Sequence, residues 1–310
     1  MSMKITVGLG RLEDLPDYKR AGADECYAGF VPSAWMEEAG EAEPFNRREV
    51  SFVNVQIGTE SELAILSDMA RDLAMPAAIT LNSPFYRPER VPMLLSAIRL
   101  CMEYGFSSFI VADPALLYRI REEDLPGIRL HLSGEYGTMN RYVLARARRL
   151  GISRVIFPRR TGIPEIRSLV RRDAARCGDA PMEFEAFAMN ELCHYDGAYC
   201  MGLHCDAFPP ACRRQRHLLR GEEMQEDIPD VPGATGCGIC SLYALQDAGV
   251  THLKVVSRGE RTAETIRDIE ALAKARDLAA QSENEKAYLA RVKPLVFPDG
   301  CSGNCYYQNE

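Results

Sequence analysis

The residues of this chain whose type and spacing point most directly to chemistry are its cysteines. Eight of the 11 cysteines lie between positions 193 and 305 of the 310-residue chain. Thiolates are soft ligands that select zinc or iron–sulfur clusters over hard cations, and four of them complete either kind of site. The sequence therefore predicts one metal centre on four cysteines, which are Cys193, Cys200, Cys212 and Cys240.

The separations between these cysteines bear on which metal they bind. Structural zinc sites usually use close Cys-x₂₋₄-Cys pairs. Separations of 7, 12 and 28 residues require a large scaffold that gathers the ligands around a bulky group. Spacing alone favours an iron–sulfur cluster and leaves zinc or unmetallated thiols open. The remaining cysteines of this region form a second candidate metal site, with unligated thiols or a redox pair as the alternatives: Cys205, Cys237, Cys301 and Cys305.

Short apolar runs alternate with amphipathic stretches and predict the elements that position the cysteines. Eight strands, each followed by helical sequence, indicate a parallel (β/α)₈ barrel, with a doubly wound open sheet as the alternative. The predicted strands span 4 to 9, 25 to 30, 77 to 81, 108 to 113, 128 to 133, 154 to 158, 182 to 187 and 251 to 257. The predicted helices span 60 to 74, 89 to 104, 139 to 150, 163 to 176 and 261 to 289.

Two stretches interrupt this alternation. Residues 31 to 50 are polar, and residues 190 to 240 form a long Cys-rich insert after the seventh predicted strand. Loops of this length are usually functional, and loops after barrel strands lie on the face where barrel enzymes place their chemistry. We expect a barrel over 1 to 290 that includes the irregular insert, and a cysteine-containing tail over 291 to 310.

Several short motifs around the cysteines match those of a known family. They are Glu185-Ala-Phe187, Leu192-Cys193, Tyr199-Cys200, Cys212-Arg213, Ala248-Gly249-Val250, Leu253-Lys254 and Arg258. In these motifs the chain resembles peptidase family U32. The resemblance implies a barrel and one [4Fe–4S] cluster on Cys193, Cys200, Cys212 and Cys240.

The resemblance also implies an activity. Relatives hydroxylate RNA bases or a quinone precursor without oxygen, several with prephenate as oxygen donor, and the peptidase label is the least favoured interpretation. The chain departs from the family pattern at Met189-Asn190-Glu191, at Arg160 and at Val256-Ser257, where the family's glutamate is lost. These changes flank the expected pocket, so the substrate of the relatives is not carried over to this chain. The short C-terminus lacks the extra domain expected of the longer RNA-modifying relatives, so we expect a small anionic or aromatic substrate and RNA is less favoured. A non-catalytic iron–sulfur subunit with a protein partner or electron donor is the alternative.

Charged and polar residues near the predicted strand ends are the candidate site residues. Lys254, Arg258 and Arg159 are predicted to bind a substrate carboxylate, and Glu185 to act as acid or base or to pair with a cation. Structural salt bridges are the alternative for these residues. A second group is predicted to line the substrate pocket or, alternatively, to cap helices and brace loops: Asn82, Asp113, Ser133 and Glu135.

Composition and missing motifs narrow the choice of function. The net charge of −7 argues against a uniformly basic nucleic-acid-binding surface. The sequence contains no apolar run long enough to span a bilayer and no signal peptide pattern, so we expect a cytoplasmic protein. It also lacks His-Glu-x-x-His, Gly-x-Ser-x-Gly and a complete phosphate loop, which disfavours metalloproteases, serine hydrolases and nucleotide hydrolases.

Overall fold

The fold is described from a computed structural model of the chain. The description covers residues 2–39, 43–48, 56–175, 182–191, 193, 200, 216–221, 223–228, 236–257, 259, 261–301 and 303–307. No helix among these residues is both long enough and apolar enough to cross a membrane.

Eight parallel strands close into a barrel. The first strand pairs with both the second strand and the last one, so the sheet has no open edge within this ring. The predicted (β/α)₈ barrel is therefore confirmed, and the open-sheet alternative is wrong. The barrel strands are β1 (Lys4–Gly8), β2 (Glu25–Phe30), β4 (Ala77–Leu81), β5 (Ser108–Val111), β6 (Arg129–Leu132), β7 (Ile152–Ile156), β8 (Glu183–Met189) and β11 (His252–Val255).

Helices surround the barrel between these strands. Their apolar faces pack on the outward side chains of the strands and form the main core. They are α1 (Leu15–Ala21), α2 (Ser33–Ala39), α3 (Glu60–Asp72), α4 (Val91–Glu103), α5 (Pro114–Glu122), α6 (Arg141–Arg149), α7 (Ile163–Ala174), α8 (Leu242–Asp247), α9 (Thr262–Gln281) and α10 (Glu285–Val296).

The structure differs from the sequence prediction at the C-terminal helix. The helix expected over 261 to 289 is two helices, α9 and α10, with a break at residues 282–284. Asn284 causes a new helix to start, because its side chain accepts a hydrogen bond from the backbone amide of Ala287. The amphipathic pattern continues through the break and conceals it.

Three further strands lie outside the barrel ring. The short strand β3 (Gln56–Ile57) pairs with β2. In the insert, β9 (Arg216–Arg220) and β10 (Glu223–Ile228) form an antiparallel hairpin. The expectation that the insert is irregular throughout is therefore wrong for this part of it.

Charged side chains occupy much of the barrel interior. On β8 the inward positions alternate with apolar outward positions, as the two-residue period of a strand requires. The interiors of such barrels are usually filled by branched apolar residues. Here the buried polar side chains at strand positions include Thr6, Glu25, His131, Arg154, Glu185, His252 and Lys254.

Candidate active site at the barrel mouth

Glu185 on β8 lies at the centre of the interior charges. Its fully buried carboxylate accepts a hydrogen bond from Lys254 Nζ at 2.7 Å and one from Arg154 Nη1 at 3.2 Å. Burial alone would raise the pKa of Glu185. The charges of Lys254 and Arg154 and the Lys254 hydrogen bond outweigh it and lower the pKa to about 2. Glu185 is therefore a fixed anion that holds the Lys254 ammonium near the mouth.

Arg154 extends the network toward the opposite end of the barrel. Its Nη2 lies 2.8 Å from Glu25 Oε2 and 2.8 Å from His252 Nε2, and its Nε donates to Glu183 at 2.9 Å. Burial acts against ionisation of Glu25, but the hydrogen bond from His252 and the charge of Arg154 prevail and lower the pKa of Glu25. A row of paired charges thus runs through the barrel interior.

His131 on β6 faces this network without joining it. It is 3% exposed, and neither ring nitrogen has a hydrogen-bond partner among the described residues. Burial, followed by the charge of Arg154, lowers the pKa of His131 well below 6.5. The imidazole is therefore neutral at physiological pH.

The loop after β2 brings two arginines to the mouth. The backbone amide of Arg47 donates to Asn82 Oδ1 at 3.0 Å, and Arg47 Nε lies 3.4 Å from Glu135 Oε2. Arg48 donates through Nη2 to the backbone oxygens of Leu9 at 2.6 Å and of Ser257 at 3.2 Å. Asn82 therefore supports the loop, and both guanidinium groups are buried at the strand ends.

Tyr27 on β2 joins Arg48 to Lys254. The Arg48 guanidinium lies 5.0 Å from the centre of the Tyr27 ring, and Lys254 Nζ lies 3.7 Å from it. Gly8 on β1 makes room for this group, because a Cβ there would lie 2.8 Å from Arg48 Nη1 and 2.9 Å from the Tyr27 hydroxyl. The close approach at Gly8 explains the glycine at the end of this strand.

Arg159 after β7 forms another side of the mouth. Its guanidinium lies 4.1 Å from the centre of the Phe187 ring, and its Nη1 lies 4.0 Å from Glu135 Oε1. The Phe187 ring also stacks on Tyr306 from the C-terminal tail, with centroids 6.0 Å apart. Burial alone would lower the pKa of Arg159. The electrostatic interactions with Tyr306, Cys193 and Glu135 outweigh burial and raise the pKa.

Cys193 lies beside this arginine. A cavity of about 1230 Å³ adjoins the mouth, and both Cys193 and Cys305 line it together with Arg159 and Tyr306. Of the four cysteines predicted to bind a cluster, Cys193 and Cys200 are half-buried, and Cys212 lies outside the described residues.

The fourth predicted ligand, Cys240, lies in the helical turn that leads into α8. Burial raises the pKa of nearby Cys237 to about 11, and the thiolate charges of Cys240, Cys305 and Cys301 add to that effect. The backbones of Cys237 and Cys305 are joined by a parallel β-bridge. Among the described residues, however, no three histidine, cysteine or carboxylate side chains are arranged to hold a metal ion.

Asp113 and Ser133 cap helical turns, as the alternative to pocket lining predicted for them. Asp113 accepts hydrogen bonds from the backbone amides of Leu116 at 2.7 Å and Tyr86 at 2.8 Å, and so caps α5 and fixes a loop. Ser133 caps the turn that contains Glu135. Arg258 and Cys205 lie outside the described residues.

Sequence reasoning missed several residues of the site. Arg47 and Arg48 fall in the stretch treated only as a polar interruption, although it follows a barrel strand on the functional face. Glu25, Arg154 and His252 were not selected, although charged residues in otherwise apolar strands were a usable signal. No sequence pattern pointed to Tyr306, because local residue patterns do not show where a C-terminal tail packs on the rest of the fold.

Comparison with known proteins places this geometry in a family. The model of peptidase family U32 matches residues 10–299, which is most of the chain. The chain belongs to peptidase family U32. No curated protein matches the chain.

Two solved structures have folds similar to that of this U32 chain. The U32 peptidase Mk0906 superimposes with a TM-score of 0.50 at 13% identity, over 84% of this chain and 94% of that one. Thiamine phosphate pyrophosphorylase from Pyrococcus furiosus gives a TM-score of 0.45 at 9% identity, over 88% of this chain and 96% of that one. At these identities the U32 structure supports the barrel fold alone.

Proposed function

We propose that this U32 protein is an iron–sulfur enzyme that hydroxylates a small anionic or aromatic substrate without molecular oxygen. One observation carries the proposal. Cys193 and the half-buried cation Arg159 lie next to each other at the mouth and line one cavity. A soft metal ligand and a carboxylate-binding group are thus available to the same bound molecule.

The chemistry of the donor set fits a cluster. Cys193, Cys200 and Cys212 come from the insert, Cys240 is the predicted fourth ligand, and thiolates are the usual ligands of a [4Fe–4S] cluster. When bound, the cluster would supply an electron-transfer centre beside the cavity. Tyr306 and Phe187 cover this side of the mouth and would limit access of water.

The cations of the mouth would bind and orient a carboxylate. Arg159 and Arg48 reach the barrel mouth from two loops, and Lys254 reaches the mouth from the barrel interior. Guanidinium groups make bidentate hydrogen bonds to carboxylates, which fix orientation as well as affinity. Glu185 would hold Lys254 in place and would not exchange protons, because its pKa lies near 2.

The oxygen atom would come from an organic hydroxy acid such as prephenate. If its hydroxyl leaves as the ring loses carbon dioxide and becomes aromatic, the substrate C–H becomes C–OH and releases one proton and two electrons. A redox partner protein would have to accept those electrons. The carboxylates of such an acid match the cations of the mouth.

Anaerobic purification followed by iron and sulfide quantification tests the cluster. We expect about four irons and four sulfides per chain, with the broad visible absorbance of a cluster. Cys193→Ala and Cys200→Ala should lose the iron, the absorbance and any prephenate-dependent hydroxylation. Cys101→Ala, which changes a buried thiol on α4, should keep all three. Iron-free wild-type protein with full activity would refute the proposal.

A further inference from the structure

Glu135 lies between two arginines at the barrel mouth. Its Oε2 lies 3.4 Å from Arg47 Nε, and its Oε1 lies 4.0 Å from Arg159 Nη1. The side chains of all three residues are at most 13% exposed, so these charges lie in a poorly hydrated part of the mouth. One carboxylate thus serves two guanidinium groups that come from different loops.

Both contacts of Glu135 are long for charged groups. Hydrogen bonds between a guanidinium and a carboxylate are usually about 2.7–2.9 Å long. Glu135 Oε2 is buried, yet it accepts no hydrogen bond from the residues that the structure describes. In contrast, the Glu185 carboxylate accepts a hydrogen bond from Lys254 at 2.7 Å. The Glu135 carboxylate is therefore held by charge, and an anion that hydrogen-bonds to the arginines can replace it.

The backbone that carries Glu135 is fixed, although its side chain is long enough to rotate. The Glu135 amide donates to Ser133 Oγ at 3.2 Å, and Gly137 ends the turn with a φ of 78°. A Cβ on Gly134 would lie only 3.3 Å from the Phe157 backbone oxygen, so the turn packs closely on the end of β7. Movement of the carboxylate therefore requires a change of rotamer and no change of the loop.

The other contacts of Arg159 direct a ligand toward Glu135. Arg159 Nε donates to the Glu191 backbone oxygen at 3.1 Å, and the guanidinium lies 4.1 Å from the centre of the Phe187 ring. Nη1 lies on the Glu135 side. A substrate carboxylate that binds at Nη1 would meet the Glu135 carboxylate, and two like charges repel strongly in poorly hydrated surroundings.

We propose that Glu135 is an internal competitor anion, which pairs with Arg47 and Arg159 in the ligand-free protein and which a substrate carboxylate must displace. This inference rests on the proposed function in one respect, namely that the ligand of the mouth is a carboxylate. The exchange of one carboxylate for another keeps both arginines paired, which avoids the cost of an isolated buried charge. A neutral ligand cannot make this exchange, so Glu135 selects against uncharged analogues of the substrate.

Glu135→Gln should show two opposite effects. The variant loses the anion between the two arginines, so its melting temperature should fall by about 2 °C or more. It also loses the competitor, so prephenate and benzoate should bind about tenfold or more tightly, as measured by titration calorimetry under anaerobic conditions. Benzoate carries a carboxylate on a ring and has no hydroxyl to transfer. A residue that only braced the mouth would lower stability and affinity together.

Three controls separate charge from other effects of the substitution. Glu135→Asp keeps the carboxylate and should bind benzoate as weakly as wild type does. Benzamide, the neutral analogue of benzoate, should bind wild type and Glu135→Gln equally. Glu123→Gln removes a carboxylate that Arg99 and Arg119 share at the end of α5, outside the barrel, and should bind both acids as wild type does.

A double variant tests whether the two anions compete for the same arginine. In an Arg159→Met background, most of the gain in affinity from Glu135→Gln should disappear, because the two substitutions act on one contact. An equal gain in both backgrounds would show that Glu135 acts only through the general charge of the mouth, and would overturn the exchange. Weaker or unchanged binding of both acids by Glu135→Gln would also overturn it.

These measurements need no turnover, so the exchange and the proposed function can fail separately. Iron-free protein without hydroxylase activity that still shows the opposite shifts in stability and affinity would support the exchange and refute the cluster enzyme. Protein that contains iron and hydroxylates a substrate with prephenate, but binds both acids equally as wild type and as Glu135→Gln, would support the enzyme and refute the exchange.

Discussion

Lys254 on β11 and Glu185 on β8 form an ion pair inside the barrel, with 2.7 Å between Nζ and Oε1. Glu185 is fully buried and Lys254 is 7% exposed, so neither group is hydrated well enough to remain charged alone. The pair connects the interior network to the mouth, because the same ammonium lies 3.7 Å from the centre of the Tyr27 ring. The position of Lys254 at the site therefore depends on Glu185.

Replacing this carboxylate tests the dependence. Glu185→Gln should lower the free energy of unfolding by about 3–5 kcal/mol, because Lys254 loses its buried anion and Arg154 loses one of its carboxylate partners. Denaturant unfolding at pH 7 measures the change. Glu264→Gln, which removes the carboxylate of an exposed pair with Arg261, is the control and should cost about 0–1 kcal/mol. Equal losses in the two variants would contradict the role given to Glu185.

Glu185 also predicts a dependence on pH. Its pKa is about 2 in the folded chain and near 4.5 when unfolded, so its stabilising contribution is complete above about pH 4.5. The contribution is lost as the pH falls from there toward 2. The stability difference between wild type and Glu185→Gln should therefore shrink over that interval, as measured by denaturant unfolding at successive pH values. A constant difference would show that the carboxylate is not ionised in the fold.

His131 should make the fold sensitive to mild acid. Its pKa is lower when folded than the unfolded value near 6.5, so the unfolded chain takes up the proton first. Stability should fall as the pH drops below about 6.5, by up to about 1.4 kcal/mol per pH unit from this group. His131→Leu should flatten that part of the stability profile. An unchanged slope in the variant would mean that His131 titrates normally.

Much of the barrel could be predicted because its strands are short apolar runs in a regular alternation. All eight predicted strands overlap barrel strands, and the periodicity that defines them is local. Cys26 on β2 and Cys101 on α4 are buried isolated thiols, and Cys177 lies outside the described residues. The break at Asn284 was missed because a helix cap leaves the amphipathic pattern nearly intact.

The site was less predictable because it depends on contacts between distant parts of the chain. Lys254, Glu185 and Arg159 were predicted as site residues because they lie in or directly after barrel strands, and their roles stay predictions. Arg48 reaches the mouth from a loop whose path is set by hydrogen bonds to Leu9 and Ser257, and no local pattern encodes that path. The docking of Cys305 against Cys237 is likewise a long-range backbone contact.

Arg159 should bind a carboxylate of the proposed oxygen donor. Prephenate at 100 times its dissociation constant should stabilise the wild-type chain by about 2.7 kcal/mol, which a thermal shift assay detects. Arg159→Met should weaken binding about tenfold or more, because it removes a charge-assisted hydrogen bond. Arg149→Met on the exposed face of α6 is the control and should bind as wild type does. A normal shift in Arg159→Met would remove this arginine from the proposed site.

Gly8→Ala tests whether Arg48 belongs to the same site. The added Cβ would lie 2.5 Å from the Ser257 oxygen and 2.8 Å from Arg48 Nη1, so the guanidinium must move. We expect a stability loss of about 1–3 kcal/mol from overpacking, together with weaker prephenate binding in the thermal shift assay. Gly58→Ala is the matched control, because its Cβ would meet only Glu62 Oε2 at 4.0 Å. If Gly8→Ala lost stability but bound prephenate normally, Arg48 would be a structural residue of the barrel mouth and would make no contact with the bound acid.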